Sequence, residues 1–296
     1  MKGAAMTLQD ATPVTTADGL RLRGFGWPGA PAQAATVLIV HGLGEHAGRY
    51  ATLGTELQQA GWNVVAYDQR GHGRSEGARG RIAQDDSLLC DLSRVIDRVR
   101  ADFPAPLVLL GHSLGGGLCA RFVAEALAAQ PASWSRPVDA LVLSSPALAL
   151  HMNAAQKALL ALTGRWLPDL VVGNGIAPAG ISRDPAVVAA YVADPLVHNR
   201  VSPRLVNAMR DAGRVAQAEA SRWRTPTLLL WAGSDRLVDP AGAAAFAQAA
   251  PRQVVDAQEF PALFHEIFNE PEREEVAQRL VEWLSRIRPV AASSPG

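Results

Sequence analysis

The feature that most constrains this chain is a series of short runs that are apolar on both faces: residues 36–40 (TVLIV), 63–67 (NVVAY), 107–110 (LVLL), 140–143 (ALVL) and 227–231 (TLLLW). A strand wetted on one side alternates apolar and polar residues, so a run without alternation must be covered on both sides, as in a parallel sheet. Segments with helical spacing lie between them. They cover 49–59, 85–100, 115–130, 241–249 and 271–287, the second with Leu88, Leu92, Val95, Ile96 and Val99 on one face. A last strand is expected at 253–260. Strands alternating with helices give an α/β fold whose mostly parallel sheet is flanked by helices. Residues 13–27 read as a leading hairpin about Asp18-Gly19, a dipeptide that tolerates the positive φ of a tight turn.

The rhythm breaks between residues 146 and 221. A structureless loop of that length is foreign to a compact domain, so the stretch is expected to be an inserted helical cap, with 1–145 and 222–288 forming the core and 289–296 a disordered tail. Its apolar residues, among them Leu159, Leu160, Leu162, Trp166, Leu167, Val187, Val188 and Val192, exceed what a small lobe can bury by itself. Some are expected to face the mouth of a site.

Composition removes several function classes. The 28 basic residues balance the 28 acidic ones, which argues against a nucleic-acid partner or a polybasic membrane arm. Cys90 and Cys119 are the only cysteines, too few for a disulfide framework or a four-thiolate metal site, and both read as buried free thiols. The longest apolar run, 186–193, is far short of the ~20 residues that span a bilayer. Residues 1–11 contain no apolar signal core, and a cytoplasmic location is expected.

The chemistry concentrates where the 107–110 strand meets Gly111-His112-Ser113-Leu114-Gly115 and a helix follows at once. In such a G-x-S-x-G elbow the chain turns so sharply that the residues flanking the serine must be small, and the hydroxyl is held above the sheet. A serine nucleophile needs a base and the base an orienting acid. Asp235 follows the 227–231 strand and His265 follows the last one, both at the sheet edge where open α/β folds place their sites. Asp239 competes with Asp235, but it precedes Pro240 at a helix start, and an N-cap role suffices for it. Glu266 and Glu270 read as solvated charges at a helix start. After 36–40 comes His41-Gly42-Leu43-Gly44-Glu45-His46, whose loop would supply one oxyanion amide, from Leu43, while Leu114 supplies the other. Gly42 and Gly44 would let backbone approach the substrate. Residues 68–75 (DQRGHGRS) read as a structural brace of the rim rather than a phosphate cradle.

The segments HGLGEHAGRY, YDQRGHGRSEG, GHSLGGG, WAGSDRLVD and FHEIFNEP closely resemble the monoacylglycerol lipase and lysophospholipase branch of the α/β-hydrolases, over residues 12–288. The resemblance implies Ser113 as nucleophile, Asp235 as acid, His265 as base, Leu43 and Leu114 as oxyanion donors, and the insertion as a cap over an acyl-binding site. It implies a serine hydrolase of medium- or long-chain carboxylic esters, most simply monoacylglycerols, needing no metal and no cofactor. Lysophospholipase or general carboxylesterase activity, transient contact of the cap with a membrane surface, and the oligomeric state stay open. A rival of another class is a dinucleotide-binding protein. Residues 42–47 fit G-x-G-x-x-A after a strand, but Glu45 would set a carboxylate where a pyrophosphate should sit.

Overall fold

The computed structural model describes residues 9–27, 35–103 and 106–287. In chain order the elements are β1 (Gln9–Thr15), β2 (Arg21–Trp27), β3 (Thr36–Val40), α1 (Ala51–Gln59), β4 (Asn63–Tyr67), α2 (Ser87–Asp102), β5 (Leu107–His112), α3 (Leu114–Glu125) and β6 (Ala140–Ser144). Next come α4 (Ala154–Trp166), β7 (Val172–Gly173), α5 (Pro185–Ala193), β8 (Arg200–Val201), α6 (Pro203–Glu219), β9 (Thr227–Ala232), α7 (Pro240–Ala249), β10 (Val255–Phe260) and α8 (Arg273–Ser285). The expected tail, 289–296, and residues 1–8 of the leading segment lie outside the described residues.

Eight strands form one sheet in the order β1-β2-β4-β3-β5-β6-β9-β10. The first two pairings, β1 with β2 and β2 with β4, are antiparallel, and every later one is parallel. The double-sided apolar runs serve two separate layers. Along β5, Leu107 and Leu109 enter one cluster with α2, α3, α6 and α7, while Val108 and Leu110 enter another with α1 and α8. β3 divides likewise, Leu38 and Val40 against Val37 and Ile39, as a two-residue period requires. The expected α/β architecture is thus the observed one.

Element ends differ where long-range partners intervene. The Ala-rich sequence favours continuing α3 to residue 130, yet it stops at Glu125, whose carboxylate accepts from the Ala132 amide at 2.7 Å and fixes a reversal. Cys119 is buried as expected, whereas Cys90 is only half-buried.

Residues 146–221 hold α4, α5 and α6 together with the antiparallel β7–β8 pair, which the sequence reading did not anticipate. α6 packs on the sheet layer through Leu205, Met209 and Ala216. Gly213 on α6 lies so close to the chain after β6 that a Cβ would stand 2.5 Å from the Leu148 carbonyl oxygen. α4 is different. Leu160 is its one buried residue, and Leu159, Leu162 and Trp166 face outward.

Candidate active site

Ser113 sits between β5 and α3 with φ 53° and ψ −118°, a strained backbone for a residue with a side chain. Three backbone bonds hold it there: its amide donates to the Ser144 carbonyl at 3.0 Å, and its carbonyl accepts from Gly117 and Ala147, each at 2.9 Å. The flanking glycines are required by space. A Cβ on Gly111 would stand 2.5 Å from the Gly115 carbonyl oxygen, and one on Gly115 2.1 Å from that of Val40. The elbow is therefore wedged against β3, which carries the 41–46 loop to the same place. A Cβ on Gly42 would lie 3.1 Å from the Ser113 Cβ. Leu114 opens α3, so its amide is among the four that a helix leaves without an intrahelical partner.

Asp235, just past β9, and His265, past β10, meet although 30 residues separate them. His265 Nδ1 lies 2.7 Å from Asp235 Oδ2, both side chains being buried. Asp235 Oδ1 accepts from the Leu237 and Val238 amides at 2.8 and 3.1 Å, which locks the carboxylate in place. Burial pushes the Asp235 carboxyl up, but the His265 charge and its hydrogen bond outweigh this and leave it below the usual carboxylate range. Burial likewise pushes His265 down, and Asp235, Glu266 and Glu45 together carry it above the ordinary histidine value. An ionised carboxylate only accepts, so Nδ1 is the protonated nitrogen and the neutral ring presents Nε2 as a base. Asp239 stands apart as the N-cap of α7, accepting from the Ala241 amide at 3.0 Å.

Ser113, His265, Gly42 and Leu43 line one pocket of about 250 Å³. Its walls include Leu150, Met152, Ile176, Ile181, Val201 and Val206, with Asn174, His151, Gln156, His112, Glu45 and Glu266 among the polar members. The apolar residues singled out in the sequence do not form these walls. Leu159, Leu162, Trp166, Leu167 and Val192 are 53–68% exposed on the outside of the insertion. Apolar content singled out residues that the helices hold outward, while the wall residues come mostly from irregular segments with no period to read.

A buried charge network borders the pocket, with Glu45 and Glu266 in its lining. Glu45 accepts from the Gly42 amide at 2.6 Å and from the Tyr50 hydroxyl at 2.8 Å, and Arg49 bridges Glu45 to Glu266 with two donors on the latter. Burial would raise the Glu45 carboxyl, but Arg49 and the neighbouring histidines bring it down to about 2. The reading of Glu266 and Glu270 as solvated charges is corrected here: they are 6% and 1% exposed, the second bound to Arg183. Their partners are 217 and 87 residues away, beyond any local pattern. Glu45, Arg49 and Tyr50 were likewise missed as structural supports, although all three stand in the HGLGEHAGRY segment.

The rim is braced as expected. Asp68 accepts from the Ala47 and Arg74 amides, both at 2.8 Å, and Arg70 binds Asp18 and Asp91. The insertion docks on the same loops. The His198 amide donates to the Gly44 carbonyl at 2.8 Å, His46 meets Asp194 at 2.9 Å, and the Glu266 amide donates to the Ile181 carbonyl at 2.8 Å. Gly44 adopts φ +80°, and a Cβ there would stand 2.3 Å from the His198 carbonyl oxygen, so this glycine accommodates the insertion.

A strand-to-helix serine and a buried Asp–His pair past the ends of parallel strands are the arrangement of a serine hydrolase built on an α/β-hydrolase sheet. The family model of the serine aminopeptidase S33 hydrolases matches residues 31–272, and the chain belongs to that family. It is 33% identical to the monoacylglycerol lipase of Mycolicibacterium smegmatis, covering 90% of this chain and 93% of that protein. It is 30% identical to the phospholipase YtpA of Bacillus subtilis, over 83% of this chain and 93% of that protein. The solved monoacylglycerol lipase of Paleococcus ferrophilus superposes with a TM-score of 0.77 at 36% identity, covering 90% of this chain and 99% of that one. The resemblance read from the motifs is thereby borne out. The dinucleotide alternative falls away, since the Gly42 amide is bonded to Glu45 within a family of hydrolases.

Proposed function

We propose that the protein hydrolyses monoacylglycerols, with Ser113 as nucleophile, His265 as base and Asp235 as the acid that orients it. The observation that carries this is the pocket: Ser113 and His265 stand in a cavity whose other walls are mainly aliphatic, a surface that gains by taking an alkyl chain out of water. Ser113 Oγ attacks the ester carbonyl while His265 Nε2 takes its proton. The Leu43 and Leu114 amides receive the charge on the carbonyl oxygen. The imidazolium returns the proton to the leaving glycerol, and water releases the fatty acid from Ser113 in the same two steps reversed. Asn174 Nδ2 is buried without a partner in this pocket and supplies a donor for a glycerol hydroxyl.

Residues 146–221 act as the cap over this cavity. The outward apolar stripe of α4, with Leu159, Leu162 and Trp166, meets the lipid surface from which substrate is drawn. Among the described residues no helix is long and apolar enough to cross a membrane, so this contact is a docking one. Unpaired Cys119 suits a reducing, cytoplasmic setting.

The test is product release from three substrates side by side: a monoacylglycerol, a lysophospholipid and an amino-acid amide, the last because the family name includes aminopeptidases. Fastest release of fatty acid from the monoacylglycerol is expected. Preferential cleavage of the amide would overturn the ester assignment, and preference for the lysophospholipid would move it to the phospholipase alternative.

A further inference from the structure

A second cleft, of about 680 Å³, lies between α2, α3 and α6. Leu88, Leu89, Leu118, Trp134 and Ala208 line its apolar part, and charged residues such as Asp85 and Arg210 stand around it. Leu114 lines it too, so it reaches to the residue beside the nucleophile. Among the described residues Met209 alone lines both this cleft and the pocket that holds Ser113. It is 8% exposed on α6, so the two cavities share this one buried residue in their linings.

The two volumes make this contact consequential. Pockets that enclose drug-sized ligands span roughly 300–1,000 Å³. The Ser113 pocket, at about 250 Å³, falls below that range and must also hold the ester and its glycerol. A long acyl chain needs further space, and the neighbouring cleft, apolar in part, has more than twice the volume. Methionine is suited to the boundary because its unbranched side chain has three rotatable bonds and repacks readily.

We propose that the second cleft receives the distal part of long acyl chains after they fill the Ser113 pocket, and that Met209 is the side chain that turns aside to admit them. This rests on the ester-hydrolase assignment above and adds a determinant of chain length to it. Each methylene fully withdrawn from water strengthens binding about fourfold, so a gate between the cavities is read most sharply as a ratio of long-chain to short-chain turnover.

The experiment measures kcat/KM for monoacylglycerols of 8, 12, 16 and 18 carbons in the full chain. Met209→Ala opens the boundary and should raise the 16-to-8 ratio roughly tenfold, the effect of about two methylenes partly buried. Ala208→Phe projects a ring into the second cleft from a position that does not line the first, and should lower the same ratio about tenfold through the long substrates. Met209→Leu, similar in size but branched and stiffer, should also lower the ratio and serves if the alanine variant does not fold. Ratios equal to wild type in Ala208→Phe and in either folded Met209 variant overturn the proposal while leaving ester hydrolysis intact. Absence of turnover of every ester by the wild-type protein overturns the ester assignment and this proposal together.

Discussion

Along β5 the residues Leu107 to Leu110 are fully buried, two to each sheet face, whereas along α4 only Leu160 is buried and Leu159, Leu162 and Trp166 are 60%, 60% and 68% exposed. Both segments are apolar, yet one satisfies its surface inside the molecule and the other holds it outward. The sheet is specified by partners the chain itself supplies. The outer part of residues 146–221 carries apolar surface that the described residues leave exposed. The site lies at the junction, with Ser113, Asp235 and His265 just past strands of the sheet and the insertion bound to the 41–46 loop through His198 and Asp194 and to the Glu266 amide after His265 through Ile181.

This contrast gives a graded set of expectations. Ser113→Ala should reduce kcat by roughly 10⁴ to 10⁶ with an unchanged unfolding midpoint, because a small side chain is removed from the elbow without disturbing its backbone bonds. Near wild-type turnover in this variant would refute the role of the elbow. Asp235→Asn should cost about 10⁴ in kcat by upsetting the His265 tautomer, while Asp239→Asn, which keeps a good N-cap, should leave turnover close to wild type. A reversed order would move the acid to Asp239. Leu109→Ala in the sheet should lower stability by about 2–5 kcal/mol in urea titrations, against about 0.5 kcal/mol or less for Leu162→Ala. Equal losses would mean that α4 is packed as tightly as the core.

The smallest expected effect is electrostatic. His265 must be neutral to act as a base, so kcat/KM for a short ester rises as pH passes upward through its raised pKa. Glu266 is one of the charges favouring the imidazolium. Glu266→Gln removes it and leaves Arg49 less compensated, both of which lower the His265 pKa, so the acid limb should move to lower pH. A limb that stays in place, or moves up, would contradict the assigned coupling between the buried network and the base.

Much of the sheet was legible because its signal is local: β3, β4, β5, β6 and β9 are each a run of apolar residues long enough to cross a layer. Ser113 was legible for the same reason, a strand, a pair of glycines and a helix in immediate succession. Asp235 and His265 could be read from their places after two late strands, and their 2.7 Å contact brings those places together. The buried charges could not be read in this way. Whether Glu266 is solvated or buried depends on Arg49, 217 residues earlier, and Glu270 depends on Arg183. The pocket walls were also illegible, since Leu150, Ile176 and Ile181 lie outside the α-helices and strands and share no period. Apolar content pointed to a cap whose residues face the mouth of the site, but not to which of them face inward.

The central claim is that Ser113 is a nucleophile activated by the His265–Asp235 pair. Reaction with a fluorophosphonate tests it most directly, because that probe forms a covalent bond only with a serine whose proton can be taken as it attacks and whose oxyanion is stabilised. Mass spectrometry of the labelled, digested protein is expected to find one adduct, on the peptide carrying Ser113, and none after Asp235→Asn within the time that labels the wild type fully. An adduct on another serine, or unimpaired labelling of Ser113 in the Asp235→Asn variant, would contradict the account.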